Sequence, residues 1–117
     1  MKTFRFLDFP VYIQARSFYK EILVVTNELR VYSLKEQLRR AALSITLNVA
    51  EGSARESDRE FFRFVQLSLG STNEVVACLD IMHSAKLIET ERFRRLQSEC
   101  EEIAKQLGGL SKKLRNS

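Results

Sequence analysis

One proline and four glycines in 117 residues leave a turn-rich sandwich or barrel without its punctuation, so long uninterrupted helices are expected. Two cysteines, Cys78 and Cys100, are too few for a disulfide framework and match no metal-ligand spacing. They read as reduced core thiols, which sets a cytoplasmic expectation. No apolar run approaches the roughly 20 residues that span a bilayer, and Arg5 and Asp8 interrupt the first ten residues, which makes them a poor signal peptide. The one histidine, His83, has no His, Cys or carboxylate at ligand spacing, so a structural place at a helix edge is expected and no metal. Phosphate-cradling glycine loops, nucleophile elbows and paired catalytic carboxylates are missing as well. Neither an enzyme nor a cofactor or small-molecule substrate is expected.

What is present is an ordinary globular balance, 44% apolar and 29% charged, in a length that suits one domain spanning residues 1–117. Nineteen Lys and Arg against fifteen Asp and Glu leave +4, a mildly basic chain compatible with an acidic partner. Periodicity of threes and fours predicts four helices, at about 10–29, 34–51, 57–86 and 90–114, behind a short N-terminal arm. Val11, Ala15, Phe18, Ile22, Val25 and Leu29 stripe the first. Pro10 opens it, capping boxes Ser33–Glu36 and Ser57–Glu60 open the second and third, and Thr90 caps the fourth. Gly52 reads as the permissive residue after helix 2. Gly108 and Gly109 predict fraying or a bend in helix 4, and the tail from Lys112 to Arg115 a frayed end. Connections of about four to six residues suit antiparallel neighbours. The expected fold is all-α, an up-down-up-down four-helix bundle.

That bundle has apolar surface to spare. Leu43 and Leu47 lie about 180° and 220° around helix 2 from the core residue Leu34, stacked as a ridge on the face that should be wet. Helix 3 is apolar around most of its circumference, with Leu67 and Ile81 widening its core stripe. Stray surface leucines are one reading. The preferred one is that Leu43, Leu47, Leu67 and Ile81 meet another subunit.

The stretch Gln37-Leu-Arg-Arg-Ala-Ala-Leu-Ser-Ile-Thr-Leu-Asn-Val-Ala-Glu-Gly52 resembles the signature of a bacterial four-helix-bundle family. The family is named for proteins encoded in intervening sequences of 23S rRNA genes. Ser53-Ala-Arg-Glu-Ser-Asp-Arg-Glu-Phe-Phe-Arg-Phe64, Gly70-Ser71-Thr72-Asn73-Glu74 and Phe6-Leu-Asp-Phe-Pro-Val-Tyr-Ile-Gln-Ala15 extend the likeness over nearly the whole chain. Two positions depart from it: Thr46 stands where many relatives have proline, and Ala85-Lys86-Leu87 where many have a Leu-Gly-Tyr-like end to helix 3. The resemblance implies a left-handed antiparallel bundle and a ring-like homo-oligomer, a pentamer. A distantly similar bundle is the accessory protein of diversity-generating retroelements, a basic pentamer that engages nucleic acid and a reverse transcriptase. The intervening-sequence family itself has no established biochemical role.

Arg39, Arg40, Arg55, Arg59 and Arg63 form the candidate site, because guanidinium forks match phosphate oxygens and a ring would multiply each modest patch. RNA or DNA is the corresponding partner. The competing reading pairs these arginines with Glu36, Glu51, Glu56, Asp58 and Glu60 as a solvated surface. A second cluster, Arg92, Arg94 and Arg95, is balanced by neighbouring glutamates and reads as a solvated helix face. Asn48 and Glu51 are a polar pair near the core edge, either a subunit-contact hydrogen bond or satisfied helix-end groups. Two functions follow: an oligomeric nucleic-acid binder, or a protein-interaction scaffold that binds none.

Overall fold

The computed structural model describes residues 3–117. A short 3-10 turn, Arg5–Asp8, precedes four α-helices: α1 (Pro10–Thr26), α2 (Tyr32–Ser53), α3 (Asp58–Ser84) and α4 (Thr90–Arg115). Each helix packs on the next in sequence, and α1 closes the bundle against α4. The result is an up-down-up-down rod 45 Å long and 24 by 21 Å across. Phe18, Ile22, Leu38, Ile45, Leu79 and Ile103 fill its centre fully buried, each contributing about 1.5–3 kcal/mol relative to exposure.

The stripes predicted the core, but local rules placed several ends wrongly. α1 stops at Thr26, short of Leu29. Thr26 is itself buried, its hydroxyl donating to the Ile22 carbonyl at 2.6 Å, and Leu29 N–H turns back to the Thr26 carbonyl at 3.0 Å. α2 begins at Tyr32 after an extended Val31, so Ser33 lies inside the helix and the expected Ser33–Glu36 box does not form. Glu36 instead accepts from the Tyr32 hydroxyl at 3.2 Å. Ser57 does cap α3, its Oγ accepting from Glu60 N–H at 3.2 Å. Thr90 is the first residue of α4 rather than its cap. α4 runs unbroken through Gly108 and Gly109, and the tail expected to fray is helical to Arg115.

Gly52 is no terminator. It sits within α2, buried against α3, where a Cβ would stand 2.6 Å from Phe64 Cβ and 2.8 Å from Phe61 Cδ1. Its absent side chain lets the two helices touch. α3 ends at Ser84 rather than residue 86, in a Schellman motif: Leu87 N–H bonds the Met82 carbonyl at 2.8 Å and Lys86 N–H the His83 carbonyl at 3.1 Å. Lys86 takes the left-handed φ of 61° that this motif demands. Short hydroxyls tighten the seams elsewhere. Ser68 Oγ donates to the Ile45 carbonyl at 2.9 Å across α2 and α3. Among the described residues no buried side-chain nitrogen or oxygen lacks a partner.

Candidate functional site

The antiparallel course of α2 and α3 separates the five candidate arginines into two groups. Arg40 lies about 20 Å along α2 from the Ser53 end, at 1.5 Å per residue. Arg55, Arg59 and Arg63 gather at that end, on the turn and first helical turns of α3. Arg39 is engaged inside the fold: its Nε donates to Thr26 Oγ1 at 2.7 Å and its Nη2 to the Leu23 carbonyl at 3.2 Å, clamping the last turn of α1. Arg55 stacks over the Phe64 ring at 4.9 Å and pairs with Glu51 at 2.8 Å, an exposed bridge worth about 0–1 kcal/mol.

Arg40, Arg59 and Arg63 are different. All three are exposed, and among the described residues none has an ion pair or hydrogen bond to its side chain. The acids that could have neutralised them are in part engaged elsewhere: Glu36 by Tyr32, Glu51 by Arg55 and Asp58 by the Ser117 hydroxyl. Arg59 and Arg63 line a hollow of about 540 Å³ with Asp58, Phe62, Leu114 and Arg115. Arg115 was absent from the sequence-based set because the tail of α4 was expected to fray. Pairing the start of α3 with the end of α4 at one end of an antiparallel bundle is the signal that finds it.

Around the corner, a second hollow of about 550 Å³ has an apolar floor that includes Phe9, Phe61 and Leu110, with Arg5 and Lys113 on its rim. Arg5 is anchored there, Nη2 donating to the Ser53 carbonyl at 3.1 Å and its guanidinium lying 5.6 Å from the Phe9 ring centre and 5.7 Å from that of Phe61.

The four apolar candidates all face outward. Leu47, Leu67 and Ile81 are each more than half exposed and Leu43 is 37% exposed. Gly70 is exposed as well, with nothing within 4 Å of where its Cβ would be. The contact of Ser44 Oγ with Ser71 Oγ at 2.8 Å sets the register of α2 on α3, which brings Leu43 and Leu47 level with Gly70 and Leu67. Ile81 stands about 21 Å further along α3 from Leu67, so it does not join that patch. Sequence reasoning missed a further apolar group around the α1–α2 turn, Val24, Val31 and Tyr32, which lie off the core stripes. Asn48 is satisfied within the chain, its Nδ2 donating to the Ser44 carbonyl and Oγ at 2.9 Å.

The remaining polar groups serve the fold. His83 stacks on Phe93, ring centres 4.3 Å apart and planes 3° from parallel, and pairs with Thr90 Oγ1 at 3.0 Å. Burial pushes the thiol of Cys78 up, with help from the Glu74 charge, and that of Cys100 up to about 12. Arg95 bridges Glu21 of α1 and Glu99 of α4. Partial burial, the hydrogen bond to Glu21 and the Glu21 charge push Glu99 up to about 7. Burial pulls Glu21 the same way, but hydrogen bonds from Glu99 and Arg95 outweigh it and hold Glu21 below its ordinary value. Glu99 thus keeps its proton to higher pH than Glu21 does beside the same arginine. Among the described residues no group of three His, Cys, Asp or Glu is placed to hold a metal ion, and no helix is long and apolar enough to cross a membrane.

No curated protein matches the chain. Among solved structures it is similar to the crystal structure of a protein with unknown function from the S23 ribosomal protein family of Bacteroides thetaiotaomicron. The two share 23% identity at a TM-score of 0.82, over 87% of this chain and 98% of that one. At that identity the likeness speaks for the fold alone. The profile of the 23S rRNA-intervening sequence proteins matches residues 7–109, which takes in all of α1, α2 and α3 and most of α4. The chain belongs to the 23S rRNA-intervening sequence protein family.

Proposed function

We propose that the protein is a non-catalytic homo-oligomeric bundle that binds nucleic acid through its arginines, with assembly into a ring of five copies as the resemblance implies. The observation that carries the reading is the state of Arg40, Arg59 and Arg63: exposed and without an ion pair among the described residues. An unpaired guanidinium keeps its bidentate face for phosphate oxygens. The patch of Leu43, Leu47, Leu67 and Gly70 supports self-association, since a bare glycine between leucines lets a second helix approach closely. Copies of a small cationic patch then act together by avidity.

Titration of labelled RNA at increasing salt tests this. Binding should weaken steeply as salt rises, and Arg59→Gln with Arg63→Gln should flatten the slope of log K against log salt by about 0.7 per lost contact on a single strand. Affinity indifferent to salt, or no binding, refutes it. Val24, Val31 and Tyr32 favour the second reading, a protein-interaction scaffold, because they form an exposed apolar group at the opposite end of α2 from Arg59 and Arg63. A stoichiometric partner retained after nuclease treatment, and lost in Tyr32→Ser, would establish that reading.

A further inference from the structure

α4 carries two consecutive glycines well inside its length, and neither is there for backbone or packing reasons. Both have ordinary helical backbone, and a Cβ at either would meet nothing within 4 Å. Glycine weakens a helix interior, so a position with room for alanine and no call for a positive φ invites another explanation. Gly109 has one: it lines the 550 Å³ hollow at the end of the bundle, and Gly108 does not. Any side chain at 109 would project into that space.

The hollow has the make-up of a ligand pocket. Its volume falls within the usual range of about 300–1,000 Å³, and its walls are mostly apolar with a few polar groups on the rim. Arg5 and Lys113 line it, while Arg59, Arg63 and Arg115 line the adjoining hollow, which shares Asp58, Leu114 and Ser117 with it. Five cations therefore surround two recesses lined by one carboxylate side chain. An unbroken duplex presents phosphates to such a surface but keeps its bases stacked and leaves an apolar recess empty. A single strand can turn a base into the recess while its phosphates stay on the arginines.

Resting on the arginine reading above, we propose that the end of the bundle is a single-strand-specific RNA site, with an unstacked base in the Phe9–Phe61–Leu110 hollow that Gly109 keeps open. Gln106 and Asp58 also line the hollow. Gln106 Nε2 donates to Gln14 Oε1 and Asp58 Oδ2 accepts from the Ser117 hydroxyl, which leaves the Gln106 carbonyl and the second Asp58 oxygen for a base edge.

Fluorescence anisotropy of the full chain tests it, with a labelled RNA of about 12 nucleotides as a single strand and as the same strand annealed to its complement. The single strand is expected to bind about tenfold more tightly, the lower part of the range that seating one base on a protein surface contributes. Gly109→Phe fills the hollow and is expected to lower single-strand affinity to the duplex value. Gly108→Phe makes the same change one residue away and is expected to leave the preference intact. Lys113→Ala removes a cation without filling space and should weaken both RNAs alike. Equal binding of single strand and duplex, or a preference that survives Gly109→Phe, overturns the base pocket while leaving the arginine reading in place. No binding of either RNA at low salt overturns both.

Discussion

Two kinds of helical glycine in this chain should respond to alanine with opposite signs. At Gly52 the new Cβ would lie 2.6 Å from Phe64 Cβ and 2.8 Å from the Phe61 ring, where ordinary contacts are 3.4–4 Å. Phe64 Cβ is fixed to backbone and cannot swing aside, so α2 and α3 must separate by close to an ångström along their most extensive seam. Overpacking of this kind costs about 1–3 kcal/mol, and against an immovable Cβ the upper part of that range, about 2–3 kcal/mol, applies, set against a gain of about 1 kcal/mol from better helix propensity. Gly52→Ala is therefore expected to lose about 1–2 kcal/mol net, a fall in Tm of roughly 4–8 °C for a domain of this size. At Gly108 and Gly109 the added methyl meets nothing within 4 Å, so each alanine should gain up to about 1 kcal/mol. Urea melts followed by circular dichroism at 222 nm read all three variants. A Gly52→Ala protein as stable as its parent would refute the assignment of Gly52 as a helix-contact residue.

Three further outcomes are expected. Arg39→Met should cost about 1–3 kcal/mol of stability by removing the donors to Thr26 and the Leu23 carbonyl, yet leave RNA affinity unchanged, as melts and a titration would show. Glu99 holds a proton up to about pH 7 in the fold but only to its ordinary value of 4.5 when unfolded, so protonation favours the folded chain. Stability should accordingly fall as pH rises from about 5 through 7, and the fall should vanish in Glu99→Gln when urea midpoints are compared across that range; a flat wild-type profile contradicts this. Lys86→Gly should stabilise by about 1 kcal/mol, because glycine takes a φ of 61° without the steric cost lysine bears.

The number of helices, their order and the buried stripes were legible in the sequence because each depends on periodicity that a single helix carries by itself. Phe18, Ile22, Leu38, Leu79 and Ile103 needed no partner to declare their face. Caps were less legible. Ser33 and Thr90 have the right chemistry for a first turn, but the caps fall two residues earlier at Val31 and one residue earlier at Glu89, both of them extended. Gly52 looked like a terminator because its role is set by Phe61 and Phe64, which come from the next helix. The arginine site was half legible. Arg59 and Arg63 share one helix face, whereas Lys113 and Arg115 join them only through the antiparallel return of α4 and Arg5 only through the N-terminal turn. The inward turn of Arg39 depends likewise on Thr26 in another helix.

The account rests above all on exposed leucine surface being covered by further copies of the chain. Light scattering on the unmodified protein in dilute solution measures that directly. The expected mass is several times 13.6 kDa, falling toward a single chain in Leu43→Glu with Leu47→Glu. A wild-type mass of 13.6 kDa, unchanged by the two glutamates, contradicts it.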